Sequence, residues 1–345
     1  MSRIIYGVAG QGFGHSTRAK EIIRFLISQG HEVLVFTYGQ ALFFLSEEFA
    51  TVEVPGLILC YTNNVLDYGQ TVYKNALQLI QQTKNWKSIK AKFKEFNPDL
   101  VITDFEPLTA ILAKVGKKPL LSIDNQHQLT NTKIDITDKY KKDLLADKLI
   151  IKTLVWGAKH YLITTFFQTP ITKKNTSIFP PILRQEILDL RPAKGDYFLV
   201  YQNSDFGHLI PVLKQTGQKF VIFGMNVDQT DGNLTFKNYS NHEWLKYLEN
   251  CRAVIGTAGL SLMCEALHLK KPYLAIPVKR QIEQIINAQY LQKKAYGIFT
   301  YQFTPDDFNQ FAADLPVYEN NLEAYNRQDN SAIFKKLAEL IKDLT

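Results

Sequence analysis

Cysteine is scarce: the 345 residues hold three, Cys60, Cys251 and Cys264. They are too few and too scattered for a disulfide framework, and no CxxC occurs to suggest a zinc site. Long apolar runs are missing as well. Ile4 to Ala9 is too short for a signal h-region and leads straight into a glycine loop. Val33 to Leu45 is broken by Thr37, Gly39 and Gln40, well short of the ~20 residues that span a bilayer. A reducing, cytoplasmic setting is therefore expected. What remains is ordinary globular composition, 46% hydrophobic and 21% charged. That excludes disordered, collagen-like and coiled-coil classes. The length suits two domains, each able to bury its own core.

Charge is unevenly spread. The net charge is +7, and the first 185 residues hold 23 Lys+Arg against 15 Asp+Glu. The basic excess lies in Lys74 to Lys94, interleaved with Trp86 and Phe93 and preceded by Tyr73, and in Lys133 to Lys159, with Tyr140 and Trp156. Solvated helix faces are one reading of these stretches. A surface for anionic lipid head groups, or for an anionic acceptor, is the other. No RNP, helix-turn-helix or zinc-finger pattern accompanies the charge, so no nucleic-acid partner is expected.

Strand-length apolar runs alternate with amphipathic stretches of helical length. In the first half, strands are expected at Ile4–Val8, Val33–Thr37, Val52–Val54, Leu100–Thr103, Leu120–Ile123 and His160–Thr164. Helices are expected at Ser16–Gln29, Thr71–Glu95, Pro107–Val115 and Asp138–Val155. The turn-forming segment from Phe179 to Gly195 reads as a linker. The rhythm then restarts, with strands at Tyr197–Tyr201, Phe220–Phe223, Leu234–Phe236, Ala253–Ile255 and Tyr273–Ile276. The helices there are Leu209–Thr216, His242–Asn250, Leu260–Leu269, Gln281–Lys294, Asp306–Ala313 and Ser331–Leu344. This is the pattern of an α/β protein with two doubly wound, Rossmann-like parallel sheets. Such sheets bind ligands at the carboxyl ends of their strands.

The motif residues fall there. Gly10, Gly12 and Gly14 follow the first strand and open a helix at Ser16 or Thr17, with His15 at its mouth. The spacing fits the dinucleotide fingerprint poorly, and no acidic residue ends the second strand. A neutral imidazole at a helix N-terminus suits proton abstraction. Asp104 and Glu106 end another strand, and Asp104 is also placed to cap the helix that begins at Pro107. In the second half, Thr257, Ala258, Gly259 and Leu260 form a small-residue turn whose N–H groups suit a phosphate. Glu265 lies further along that helix, where a carboxylate can accept two ribose hydroxyls. Glu283 and Gln284 open the next helix and suit sugar hydroxyls, and Lys279 and Arg280 suit a pyrophosphate. Asp228 and Asp231 read as turn residues, and no metal site is expected.

In this order the motifs resemble those of GT-B glycosyltransferases, in the group that contains the peptidoglycan GlcNAc transferase and monogalactosyldiacylglycerol synthase. The likeness is strongest to an uncharacterised bacterial and archaeal branch with a GxGxGH(A/S)xR loop, here Gly10 to Arg18. The second matching block runs from Gly256 to Ala288, with Gly259 to Glu265 and the Glu-Gln-x-x-Asn-Ala run from Glu283. The strand ending Pro98 to Pro107 matches too.

The resemblance implies an acceptor-binding domain over 1–185 and a nucleotide-sugar-binding domain over 186–325, facing each other across a cleft. It implies a terminal helix, within 326–345, that returns to the first domain. Glu265 would hold the ribose, Ala258–Leu260 the diphosphate, Glu283 and Gln284 the donor sugar, and the backbone near Tyr239 and Ser240 the uracil. The implied reaction is inverting hexosyl transfer from a UDP-sugar to a lipid-linked or cell-envelope glycan, without metal or cofactor. It would take place in the cytoplasm or at the inner face of the membrane. His15, Asp104 or Glu106 would serve as base. The peptidoglycan enzyme has a Gln pair where this chain has Glu283-Gln284, so the donor sugar need not carry over. Its acceptor loop also differs. A sugar-nucleotide 2-epimerase, a non-catalytic sugar-nucleotide-binding protein and a nicotinamide enzyme remain as alternatives.

Overall fold

The computed structural model describes residues 1–57, 60–62, 65, 66, 70, 73, 74, 86–201, 207 and 209–345. The chain divides into two compact units. One comprises Met1–Cys60, Asp67–Arg184 and Asp329–Thr345; the other comprises Tyr61–Leu66 and Gln185–Gln328.

In the first unit the strands are β1 (Arg3–Val8), β2 (Glu32–Thr37), β3 (Thr51–Glu53), β6 (Leu100–Asp104), β7 (Leu120–Asp124), β8 (His160–Thr164) and β9 (Thr176–Phe179). The short hairpin of β4 (Tyr61–Thr62) and β5 (Val65–Leu66) lies between them in sequence and is assigned to the second unit. The seven strands form one parallel sheet in the order β3-β2-β1-β6-β7-β8-β9. Its helices are α1 (Phe13–Ser28), α2 (Gly39–Ser46), α3 (Trp86–Phe96), α4 (Pro107–Val115), α5 (Gln128–Asn131), α6 (Lys141–Leu154) and, from the far end of the chain, α14 (Ser331–Leu344).

Both faces of this sheet are covered, as a parallel sheet requires. Side chains alternate along β1: Ile4, Tyr6 and Val8 point to one layer and Ile5 to the other. The first layer is built by Ala19, Ile22, Ile23 and Leu26 of α1 with Ile333, Leu337 and Ile341 of α14. Phe25 and Phe334 stack with ring centroids 4.4 Å apart. Ile89, Phe93 and Phe96 of α3 and Leu108 and Leu112 of α4 build the second layer.

The second unit repeats the plan. Its strands are β10 (Tyr197–Tyr201), β11 (Lys219–Phe223), β12 (Gln229–Asp231), β13 (Leu234–Lys237), β14 (Ala253–Gly256), β15 (Tyr273–Ala275) and β16 (Gly297–Phe299). Their order is β12-β13-β11-β10-β14-β15-β16, parallel except for β12. The helices are α7 (Gln185–Asp189), α8 (Leu209–Gln215), α9 (Asn241–Asn250), α10 (Leu260–His268), α11 (Ile282–Lys293), α12 (Pro305–Ala313) and α13 (Leu315–Glu323). Phe198, Phe220, Phe308 and Phe311 lead its core.

In each sheet the strand order reverses at one point, between β1 and β6 and between β10 and β14. Crevices open at the carboxyl ends of strands at such points.

Several expectations shift. α1 starts at Phe13, not at Ser16, because Gly12 is its N-cap with φ 85°. His15 therefore sits inside the first turn. The helix expected over Thr71–Glu95 is seen as α3 from Trp86; residues 71, 72 and 75–85, and so part of the Lys74–Lys94 basic stretch, lie outside the described residues. The elements α2, α5, α7, α13, β4, β5, β9, β12 and β16 lie outside those expected.

Candidate active site

At the reversal point of the first sheet, Val8 of β1 pairs with Asp104 of β6. The loop after β1 carries His15 towards the end of β6. Gly10 allows this because a Cβ there would lie 2.0 Å from the Tyr38 carbonyl oxygen.

His15 Nδ1 lies 2.7 Å from Asp104 Oδ1 and 2.8 Å from Arg18 Nη2. Arg18 also donates to both Asp104 oxygens, from Nε at 2.6 Å and from Nη2 at 2.5 Å. Asp104 is fully buried and Arg18 nearly so. Burial opposes the Arg18 charge, but the Asp104 carboxylate outweighs it and raises the guanidinium well above its usual range. The two contacts of His15 Nδ1 are alternatives: a protonated Nδ1 donates to Asp104, whereas a bare one accepts from Arg18. In the first arrangement Nε2 keeps its lone pair. Gln126 Nε2 lies 3.5 Å from it, and Asn125 Oδ1 accepts from Arg18 Nη1 at 3.4 Å.

Glu106, not Asp104, caps α4. Its carboxylate accepts from the N–H groups of Leu108 at 2.9 Å and Thr109 at 2.6 Å. Burial pushes its carboxyl up to about 7 against those bonds. The glycine loop divides its work: Gly10 admits Tyr38, Gly12 takes the left-handed cap and Gly14 lies in the first turn of α1.

In the second unit the turn after β14 is held from behind. The Tyr273 hydroxyl donates to the Thr257 carbonyl at 2.7 Å, and Asn287 Nδ2 donates to the Ala258 carbonyl at 3.1 Å. A trans peptide plane points its N–H opposite its C=O. The N–H groups of Ala258 and Gly259 are thus directed away from those anchors. Gly259 is the N-cap of α10 without a side-chain cap, so Leu260 opens a helix whose first N–H groups take no capping side chain. This is a chemically apt anion cradle.

Glu265 is 8% exposed, which rules out a plain surface glutamate. Gln284 turns inward, its Oε1 accepting from Val278 N–H at 3.0 Å, and so braces the loop before α11. Glu283 stays partly exposed, and Arg280 is exposed with φ 64°. Ser240 caps α9, accepting from Glu243 N–H at 3.2 Å. Tyr239 is half exposed beside Trp244. Asp228 accepts from Asn238, but Asp231 is the last residue of β12 and not a turn residue, and it pairs with Lys214. Among the described residues, no group of three His, Cys, Asp or Glu is placed to hold a metal ion.

The residues passed over by motif reading are Arg18, Asn125, Gln126 and Asn287. Arg18 and Asn287 stand inside the matched motifs, so spacing from His15 and Glu283 was the available signal. Asn125 and Gln126 follow a strand end, which was the only hint.

Two doubly wound units, each with its ligand-type features at the reversal point of its sheet, define the GT-B class of glycosyltransferase folds. The glycosyltransferase of kitacinnamycin has this architecture, with a TM-score of 0.72 at 15% identity over the whole of both chains. Residues 2–316 match the model of glycosyl transferase family 1, and the chain belongs to that family. An uncharacterised glycosyltransferase of Methanosarcina acetivorans is 24% identical over 94% of this chain and 93% of its own. A UDP-N-acetylglucosamine–N-acetylmuramyl-(pentapeptide) pyrophosphoryl-undecaprenol N-acetylglucosamine transferase of Clostridium botulinum is 30% identical over 35% of each chain. The protein is a glycosyltransferase.

Proposed function

We propose that the donor is a UDP-sugar, and that its hexosyl group passes with inversion to a hydroxyl of a lipid-linked or cell-envelope acceptor. The observation that carries this reading is the His15–Asp104 pair at the reversal point of the acceptor unit. Asp104 orients the ring through Nδ1, and Nε2 takes the acceptor proton. The acceptor oxygen bonds to the anomeric carbon as the bond from that carbon to the diphosphate oxygen breaks, which releases UDP. The transition state is oxocarbenium-like. Charge developing on the diphosphate is met by the N–H groups at Ala258, Gly259 and Leu260, with Arg280 beside the next helix. Neither metal nor cofactor has a role in this scheme. Glu265 holds the ribose, Glu283 the sugar, and the backbone at Tyr239 the base, while Gln284 and Ser240 support their loops. Support for a uridine donor comes from the clostridial relative, whose name specifies UDP-N-acetylglucosamine.

Helix α6 supports an acceptor at a membrane surface. Only Leu144 and Ile151 of it are buried, and Leu145 and Leu149 are 70% and 66% exposed. Exposed Lys141, Lys142 and Lys152 surround them, with Trp156 just beyond. Apolar side chains ringed by lysines suit the inner face of an anionic bilayer. No described helix is long and apolar enough to cross one.

The test is UDP release from UDP-sugars in the presence of membrane lipid acceptors. His15→Ala is expected to slow release by ~10²–10⁴-fold. UDP affinity should stay near that of the parent. Equal rates for parent and variant would remove His15 as base.

A further inference from the structure

The turn after β7 is tied down with more bonds than a connecting loop needs. Asp124, the last residue of β7, is buried. Its Oδ1 accepts from the His127 N–H at 2.8 Å, and its Oδ2 meets His127 Nδ1 at 2.7 Å and the Ser122 hydroxyl at 2.5 Å. His127 is buried too, and its Nε2 faces the Val155 carbonyl at 3.1 Å. Each ring nitrogen thus faces an oxygen acceptor. Tyr161 lies against the ring, with centroids 4.6 Å apart. Burial alone would raise the Asp124 carboxyl, but the His127 ring and the surrounding hydrogen bonds hold it below its ordinary value.

The pair brackets two residues, and both point at the reacting cluster. Asn125 meets Arg18, and Gln126 meets His15 Nε2. Resting on the reading of His15 given above, we infer that Asp124 and His127 are positioning residues: they lock this turn so that Asn125 and Gln126 hold Arg18 and His15 in the reactive arrangement. The amide of Gln126 donates towards Nε2 at 3.5 Å, a long contact that favours the ring form protonated on Nδ1 and bonded to Asp104 and that the acceptor hydroxyl displaces before it gives up its proton. Neither Asp124 nor His127 exchanges a proton with substrate. A group held by a second layer of bonds keeps its geometry, and a misplacement of about 1 Å can cost ~10²-fold in rate.

The test follows the His15 ring by nitrogen NMR in the full chain labelled with ¹⁵N-histidine, the His15 signals being identified by their loss in His15→Ala. His127→Gln and Ser122→Ala are each expected to shift them. In the Asn125→Ala/Gln126→Ala background, adding His127→Gln should cause no further shift, because the route to His15 is already gone. Unmoved His15 signals in both single variants would overturn the inference, and so would a full additional shift in the double background. Ser122→Ala removes one bond to Asp124 and decides the matter if His127→Gln does not fold. In turnover, kcat should fall by up to about 100-fold with the donor KM unchanged. The NMR readout needs no substrate. An active His15→Ala enzyme would therefore end the catalytic reading while leaving this coupling measurable, and the reverse result is equally distinct.

Discussion

Asp104 meets three demands with one side chain: it ends β6, holds the buried Arg18 charge and orients His15. Asp104→Asn should therefore harm stability as well as turnover. Breaking a buried pair from one side costs ~3–5 kcal/mol, because the surviving charge stays uncompensated. Urea unfolding of the variant checks this. His268 gives a pH signature in the other unit. Burial, and then the neighbouring Arg327 guanidinium, lower its imidazole from 6.5 to about 4. Arg327 Nε donates to His268 Nε2 at 3.2 Å, which requires the neutral ring. Between those values the unfolded chain takes up a proton that the native ring refuses. Stability from this site is thus fully present above about pH 6.5 and is lost as pH falls towards 4. The gap in unfolding midpoint between about pH 7 and about pH 5 should narrow in His268→Gln. His15 and Asp104 were legible as candidates because one follows the glycine loop after β1 and the other closes the apolar run of β6. Arg18 was not legible, since an arginine within a helix carries no mark of a buried partner. Only the fold brings it to a carboxylate 86 positions away.

At the scale of elements, α14 joins the first unit although it ends the chain. Ile333, Leu337 and Ile341 recur every four residues and form one buried stripe. Leu337 is fully buried, so Leu337→Ala should cost ~2–5 kcal/mol in the same unfolding assay. That stripe was readable from spacing. The long parallel strands were readable too, because burial on both faces makes them continuous apolar runs. The missed elements lack such signals. β12 is an exposed three-residue edge, and β16 has Gly297 opening it. α13 begins at Leu315-Pro316, where proline reads as a break but instead fills the first turn. Ser240 and Glu106, whose side chains cap α9 and α4, are ambiguous for a related reason. A polar residue before a helix has the same sequence signature whether it caps the helix or meets a ligand.

For the whole molecule, the lopsided charge and the exposed row on α6 make a joint prediction. Sedimentation with vesicles rich in anionic lipid should exceed that with neutral vesicles and weaken as salt rises. Leu145→Asp/Leu149→Asp should abolish it, and unchanged binding by that variant would take α6 off the membrane. The central claim is that the second unit is built to receive a uridine diphosphate. Calorimetric titration of UDP into the parent and into Glu265→Gln tests it most directly. The account predicts saturable UDP binding by the parent, at least tenfold weaker in the variant, which corresponds to about 1.4 kcal/mol. Equal affinity in the two proteins, or binding of NAD(P) in place of UDP, would contradict it.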